Sequence, residues 1–181
     1  MRNLPLNLRW LLILLLAALL SESARATPPN LQTPGPVIYL VDNLDEKNQL
    51  GWCIDTLGRG FSEQLQVHSC KPQGGDVQFY HDPASGHIAS AEFEGKCATL
   101  IGSSDINVPF GLHDCKASNK DQAFVYDPES KEFHPSYDEK LCLAAGAESR
   151  TAGPFMSRDL QLQPCMSVAS KLRRWIVKGE D

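Results

Sequence analysis

The chain has 181 residues, with 17 Lys+Arg against 22 Asp+Glu, 42% hydrophobic residues and six cysteines. That composition is globular, neither disordered nor collagen-like, and the length allows one domain or two small ones. A net charge of −5 argues against a nucleic-acid partner, because phosphate binding needs a basic footprint.

The chain opens with Arg2 and Arg9, then Trp10 and an unbroken apolar run over residues 11–20, and reaches Ala24-Arg25-Ala26. A charged start, a short apolar run and a small-x-small site predict a signal peptide over residues 1–26. As a helix the apolar run spans about 15 Å, half the hydrocarbon thickness of a bilayer, so no membrane span is expected. The predicted destination is secreted or periplasmic, an oxidising setting in which cysteines pair. Residues 27–36 hold Pro28, Pro29, Pro34 and Pro36 and predict an extended leader outside the core. The acidic run from Asp42 to Glu46 reads as a solvated loop.

From residue 37 onward the apolar residues alternate over short runs, as strands do. The predicted strands are 37–41, 52–55, 65–68, 77–81, 87–91, 97–100, 110–114, 123–126, 132–134, 141–144, 160–163 and 174–177. No stretch beyond the leader keeps a 3.6-residue period. Cysteines punctuate these strands with a period of their own. Cys53, Cys97 and Cys142 recur after 44 and 45 residues; Cys70, Cys115 and Cys165 recur after 45 and 50. A fixed period of this size marks a repeated supersecondary unit. Matching stretches support it: Asp82-Pro83-Ala84-Ser85-Gly86 parallels Asp127-Pro128-Glu129-Ser130-Lys131, and each Asp-Pro signals a turn. An aromatic follows the second cysteine of each unit by nine or ten residues, namely Tyr80, Phe124 and Trp175, and reads with Trp52 as core.

The expected fold is therefore all-β, three four-stranded repeats with pseudo-threefold symmetry, over about 37–81, 82–126 and 127–178. Six cysteines allow 15 pairings. With three repeats the simplest connectivity is one bridge per repeat, Cys53 with Cys70, Cys97 with Cys115 and Cys142 with Cys165. Each bridge contributes roughly 3 kcal/mol in the chain-entropy model. No two cysteines have C-x-x-C spacing, so no metal site is expected, and with no Gly-rich phosphate loop of either common type no cofactor is expected.

This pattern resembles the ricin-type β-trefoil lectin domain. The residues that carry the resemblance are Trp52-Cys53-Ile54-Asp55, Leu65-Gln66-Val67-His68-Ser69-Cys70 and Gln78-Phe79-Tyr80, the last matching the family's Q-x-W. It covers about residues 37–178 and implies a β-trefoil. It also implies a sugar site in which an Asp after the first cysteine accepts from sugar hydroxyls. An aromatic before the second cysteine stacks on the pyranose, and a Gln further on orients the Asp. On that pattern the first repeat offers Asp55 as acceptor, Gln66 as lining, His68 as the ring and Gln78 as the orienting amide. Val77 stands where the family has Asn, and Asp76 is the candidate substitute. The second repeat has Thr99 at the Asp position and Gly111 at the Gln66 position, and keeps His113 and Asp121-Gln122. The third has Ala144, Gln163 and Arg173. The second is expected to be silent or very weak, and the third silent. The third repeat also carries a longer loop, 146–159, with Phe155 and Met156 as contact candidates.

The resemblance implies a secreted lectin for glycans or glycoconjugates, galactose-type in ligand and roughly millimolar for one monosaccharide. The alternative is a protein partner, with the trefoil acting as a toxin-type adhesion subunit or an inhibitor of an extracellular enzyme. The sequence contains neither G-x-S-x-G nor H-E-x-x-H, and the repeats consume nearly all of the chain, so the protein is not expected to be an enzyme.

Overall fold

The computed structural model describes residues 26–102 and 107–180. The predicted signal peptide therefore lies outside the described residues except for Ala26. Thirteen strands are found among the described residues. They are β1 (Val37–Leu40), β2 (Trp52–Thr56), β3 (Leu65–Ser69), β4 (Phe79–Asp82), β5 (His87–Ser90), β6 (Lys96–Leu100), β7 (Val108–Asp114), β8 (Phe124–Asp127), β9 (Glu132–Pro135), β10 (Leu141–Ala145), β11 (Arg150–Ala152), β12 (Phe155–Pro164) and β13 (Trp175–Lys178). Twelve fall where alternation placed them. The thirteenth, β11, arises because the long third-repeat loop folds into a hairpin with β12, Ala152 opposite Phe155.

Six antiparallel hairpins build the body. Three lie within repeats, β2 with β3, β6 with β7 and β10 with β12. Three join one repeat to the next, β4 with β5, β8 with β9 and β13 with β1. The within-repeat hairpins meet through their second strands. β12 pairs with both β3 and β7, and a bridge between Gln64 and Gly111 closes the triangle. This threefold arrangement is a β-trefoil. Because no repeat can cover its own apolar face, the three pack against one core. Phe79, Phe124 and Trp175, the first residues of β4, β8 and β13, are all buried in it, with Ile38, Ile88 and Phe133. Disulfides join Cys53 to Cys70, Cys97 to Cys115 and Cys142 to Cys165, one per repeat.

Three expectations are corrected. The core aromatic of the first repeat is Phe79, at 0% exposure, and Tyr80 stands 42% exposed. Strand pairing sets this: Phe79 lies opposite Ser90 as Phe124 lies opposite Pro135, so side-chain alternation turns Tyr80 outward. The acidic run is not a solvated loop, because Glu46 is buried. Its carboxylate accepts from the backbone N–H groups of Asn48 and Leu50 and from the Ser69 hydroxyl. The Pro-rich segment is not free of the core either. Thr33 is buried, Leu31 packs on Val37, Val77 and the first disulfide, and Asn30 N–H donates to Gln49 O.

Candidate functional site

A cleft of about 600 Å³ opens beside the β2–β3 hairpin. Its first wall is the first repeat, with Arg59, Gln66, His68, Lys71, Gln73 and Asp76. Its second wall is the β11–β12 hairpin of the third repeat, with Arg150, Pro154 and Phe155. The register explains this junction: Ser157 of β12 pairs with His68 of β3, and Asp159 with Gln66, so the turn before them projects over the first repeat. Phe155 then meets His68 edge-on, with ring centroids 5.4 Å apart.

The four residues expected to hold a sugar occupy three different situations. Gln66 and His68 line the cleft, though each is only 4% exposed. Gln66 Nε2 donates to Thr56 O at 3.0 Å, and its Oε1 is the remaining acceptor. His68 Nδ1 lies 2.9 Å from Ser69 O, which makes Nδ1 the protonated nitrogen and Nε2 the acceptor. Burial holds this imidazole below its ordinary pKa.

Asp55 lies beneath the cleft, at 0% exposure, and is not part of its lining. It does not face solvent as a hydroxyl acceptor. Lys71 stands over it instead, with Nζ 2.9 Å from Asp55 Oδ2 and 2.6 Å from Asp76 Oδ1. Burial pushes the Asp55 carboxyl up to about 7, opposed by Lys71 and reinforced by the charge of Asp76. One ammonium thus bridges a buried carboxylate and a carboxylate at the cleft wall.

Gln78 does not orient Asp55. Its Nε2 donates to Gly35 O at 2.9 Å, and its Oε1 accepts from Gly75 N–H at 3.0 Å, which ties the leader segment to the loop after Cys70. The register position of the orienting amide belongs to Val77, fully buried against the first disulfide. The second repeat shows what that position does when an amide fills it. There Gln122 Nε2 donates to Thr99 Oγ1 at 2.8 Å and to Asp114 O at 2.9 Å, while its Oε1 accepts from Lys116 N–H at 2.7 Å. In the third repeat Arg173 fills the position and pairs with Glu132. Sequence reasoning missed Lys71, Arg59 and Gln73; the only signal for Lys71 was its place directly after Cys70.

With this geometry established, the relationship of the chain to known proteins is direct. Residues 43–175 match the ricin-type beta-trefoil lectin domain. The chain belongs to that family. Among curated proteins none matches this lectin domain in sequence. Solved structures match it in fold. The beta-trefoil lectin of the Vibrio vulnificus hemolysin/cytolysin, crystallised with N-acetyl-D-lactosamine, is 13% identical with a TM-score of 0.55, over 80% of this chain and 93% of that one. The earthworm lectin C-terminal domain, a mutant in complex with 6'-sialyllactose, is 13% identical with a TM-score of 0.54, over 81% and 100%. Cytolethal distending toxin from Actinobacillus actinomycetemcomitans is 15% identical with a TM-score of 0.54, over 81% and 93%. Among the described residues of the lectin domain, no helix is long and apolar enough to cross a membrane.

Proposed function

We propose that this protein is an exported lectin whose working site is the first-repeat cleft and whose ligand is a galactose-type glycan. The observation that carries this is the pairing of two unlike walls. One holds hydrogen-bonding groups, Gln66, Lys71, Gln73 and Asp76; the other holds the half-exposed ring of Phe155. Sugar recognition needs both, polar groups for the hydroxyls and a flat apolar face for the C–H patch of the ring. Lys71 and Asp76 supply a donor and an acceptor side by side, and Asp55 acts from below by fixing Lys71. The proposed activity is binding. One monosaccharide is held weakly, at roughly millimolar Kd or about 4 kcal/mol, and clustered glycans raise this through avidity. Three disulfides suit an exported protein.

A glycan array probed with wild type, Phe155→Ala and Asp76→Asn tests the reading, with thermal melts to verify folding. Galactose-terminated glycans should give the wild-type signal, and both variants should lose most of it. Unchanged binding in both folded variants would remove the cleft as the site.

A second reading, a protein-binding trefoil such as a toxin-type adhesion subunit, is favoured by a different surface. Met166, 96% exposed, and Val125, 55% exposed, share a hollow with Pro135. A stoichiometric partner that stays bound in excess free sugar, and leaves on Met166→Asp, would support this reading.

A further inference from the structure

The charges of the cleft say which glycans it prefers. The lining holds Arg59, Lys71 and Arg150 against one acid, Asp76, in a chain whose net charge is −5. The corresponding hollow in the second repeat holds Glu63 and Asp114 against Lys96 and Lys116, an even balance. Of these two equivalent hollows, only the first-repeat cleft carries an excess of positive charge.

Two of its three cations are already committed. Lys71 is shared between Asp55 and Asp76, and Arg150 Nη1 lies 2.7 Å from Asp159 Oδ1. Arg59 makes no hydrogen bond or ion pair with any described residue. Its loop is nonetheless tied down. Thr56 Oγ1 donates to Gly60 O at 2.6 Å, and Gly60 N–H donates to Asp76 Oδ2 at 3.1 Å. Asp76 is occupied on both oxygens, by Gly60 on one and Lys71 on the other. An entering anion thus meets a guanidinium with no partner among the described residues, and no unpaired lining carboxylate.

We propose that the cleft takes an acidic oligosaccharide, one carrying a carboxylate or a sulfate group, and that Arg59 receives the anion. This deepens the lectin reading and rests on it. A guanidinium presents a planar fork of N–H donors that matches either oxyanion with two parallel hydrogen bonds. Pro154 and Phe155, on the opposite wall, give the neutral sugar its apolar face. The cleft volume of about 600 Å³ lies well inside the range of small-ligand sites, roughly 300–1,000 Å³, and suits more than one sugar unit.

The test uses three glycans with one galactose-containing core: neutral, sialylated and sulfated. Each is titrated calorimetrically into wild type, Arg59→Gln and Phe155→Ala at low and at raised salt. Wild type should bind at least one acidic glycan about tenfold more tightly than the neutral one, with the preference falling as salt rises. Arg59→Gln, a change on an exposed loop, should bring the acidic glycan close to the neutral level, with the acidic affinity falling several-fold more than the neutral one. Phe155→Ala should weaken all three alike. The carboxylated and sulfated arms identify which oxyanion is read. Equal wild-type affinity for all three, or a preference that survives Arg59→Gln, would overturn the acidic-ligand proposal and leave the lectin reading standing. Absence of binding by every glycan would overturn both.

Discussion

The first and second repeats run the same backbone through the same pairings, yet their equivalent lysines end in opposite places. Lys71 and Lys116 each follow the second cysteine of their repeat. Lys71 is 7% exposed and holds two carboxylates; Lys116 is exposed. The difference lies one layer down. Asp55 in β2 offers a buried charge, which draws the ammonium inward. Thr99 in β6 offers a hydroxyl, and Gln122 satisfies it with an amide. The histidines diverge as well: His68 is covered by Phe155 from the third repeat, whereas His113 is exposed. Equivalent hairpins thus support either an ion cluster beneath a cleft or a closed amide lock, according to the pair in place: Asp55 with Val77, or Thr99 with Gln122.

The equivalence of the repeats rests on register, and breaking it should give the largest effect. Phe79 is fully buried where Phe124 and Trp175 sit, and Tyr80 points outward. Phe79→Ala should cost about 3–5 kcal/mol, the range for a large buried aromatic, and Tyr80→Ala less than about 1 kcal/mol. Chemical denaturation of the two variants measures both. A Tyr80→Ala loss as large as that of Phe79→Ala would mean that the repeats are aligned one residue out.

Asp55 sharpens the contrast through pH. Its folded pKa of about 7 stands above the ordinary carboxyl value of 3.8. Between those values the folded protein keeps the proton and the unfolded chain releases it. Folding is therefore progressively less favourable as pH rises from about 4 to 7, by an order of magnitude of 4 kcal/mol in total. His68 acts in the opposite sense. Its folded pKa is depressed, so its contribution grows as pH rises through that value toward 6.5. Asp55→Asn isolates the carboxyl. Denaturation at pH 5 and pH 8 should show a smaller stability loss in the variant than in wild type, by a few kcal/mol. Thr99→Val, at the matching place in the second repeat, carries no titrating group and should shift stability equally at both pH values. Equal pH dependence in wild type and Asp55→Asn would place the titrating carboxyl elsewhere.

What the sequence showed and what it hid divide along the same line. Strand alternation, the cysteine period and the paired Asp-Pro turns are local, and they carried the trefoil and its bridges. The site was legible only as far as the β2–β3 hairpin, which places Gln66 and His68 at the cleft. Gln78 misled because it is an amide at nearly the right spacing: Gln122 and Arg173 stand two residues before the core aromatics Phe124 and Trp175, and Val77, not Gln78, stands two before Phe79. Lys71 was invisible because a lysine after a cysteine reads as solvent-exposed, as Lys116 is. The wall built by Phe155 depends on a pairing between β12 and β3, residues far apart in the chain, which no local pattern reports.

The smallest effect tests the junctions between repeats. In each matching turn the leading Asp accepts from two groups ahead of it. Asp82 takes Ala84 N–H at 3.0 Å and Ser85 Oγ at 2.6 Å; Asp127 takes Glu129 N–H at 2.9 Å and Ser130 Oγ at 2.8 Å. Both turns close on a residue in the left-handed region, Gly86 at φ +75° and Lys131 at φ +63°. Glycine adopts that conformation without strain, whereas an L side chain there costs about 1 kcal/mol, partly offset by the greater freedom of glycine in the unfolded chain. Lys131→Gly should therefore stabilise the protein by about 0.5 kcal/mol, read as a small rise in the denaturation midpoint. The reverse change is worse than its mirror image, because a Cβ at Gly86 would lie 3.0 Å from Phe124 O. Gly86→Ala should destabilise by more than Lys131→Gly gains. If instead the two substitutions had equal and opposite effects, backbone conformation alone would govern both turns, and the close approach of β8 to the first turn would carry no energetic weight.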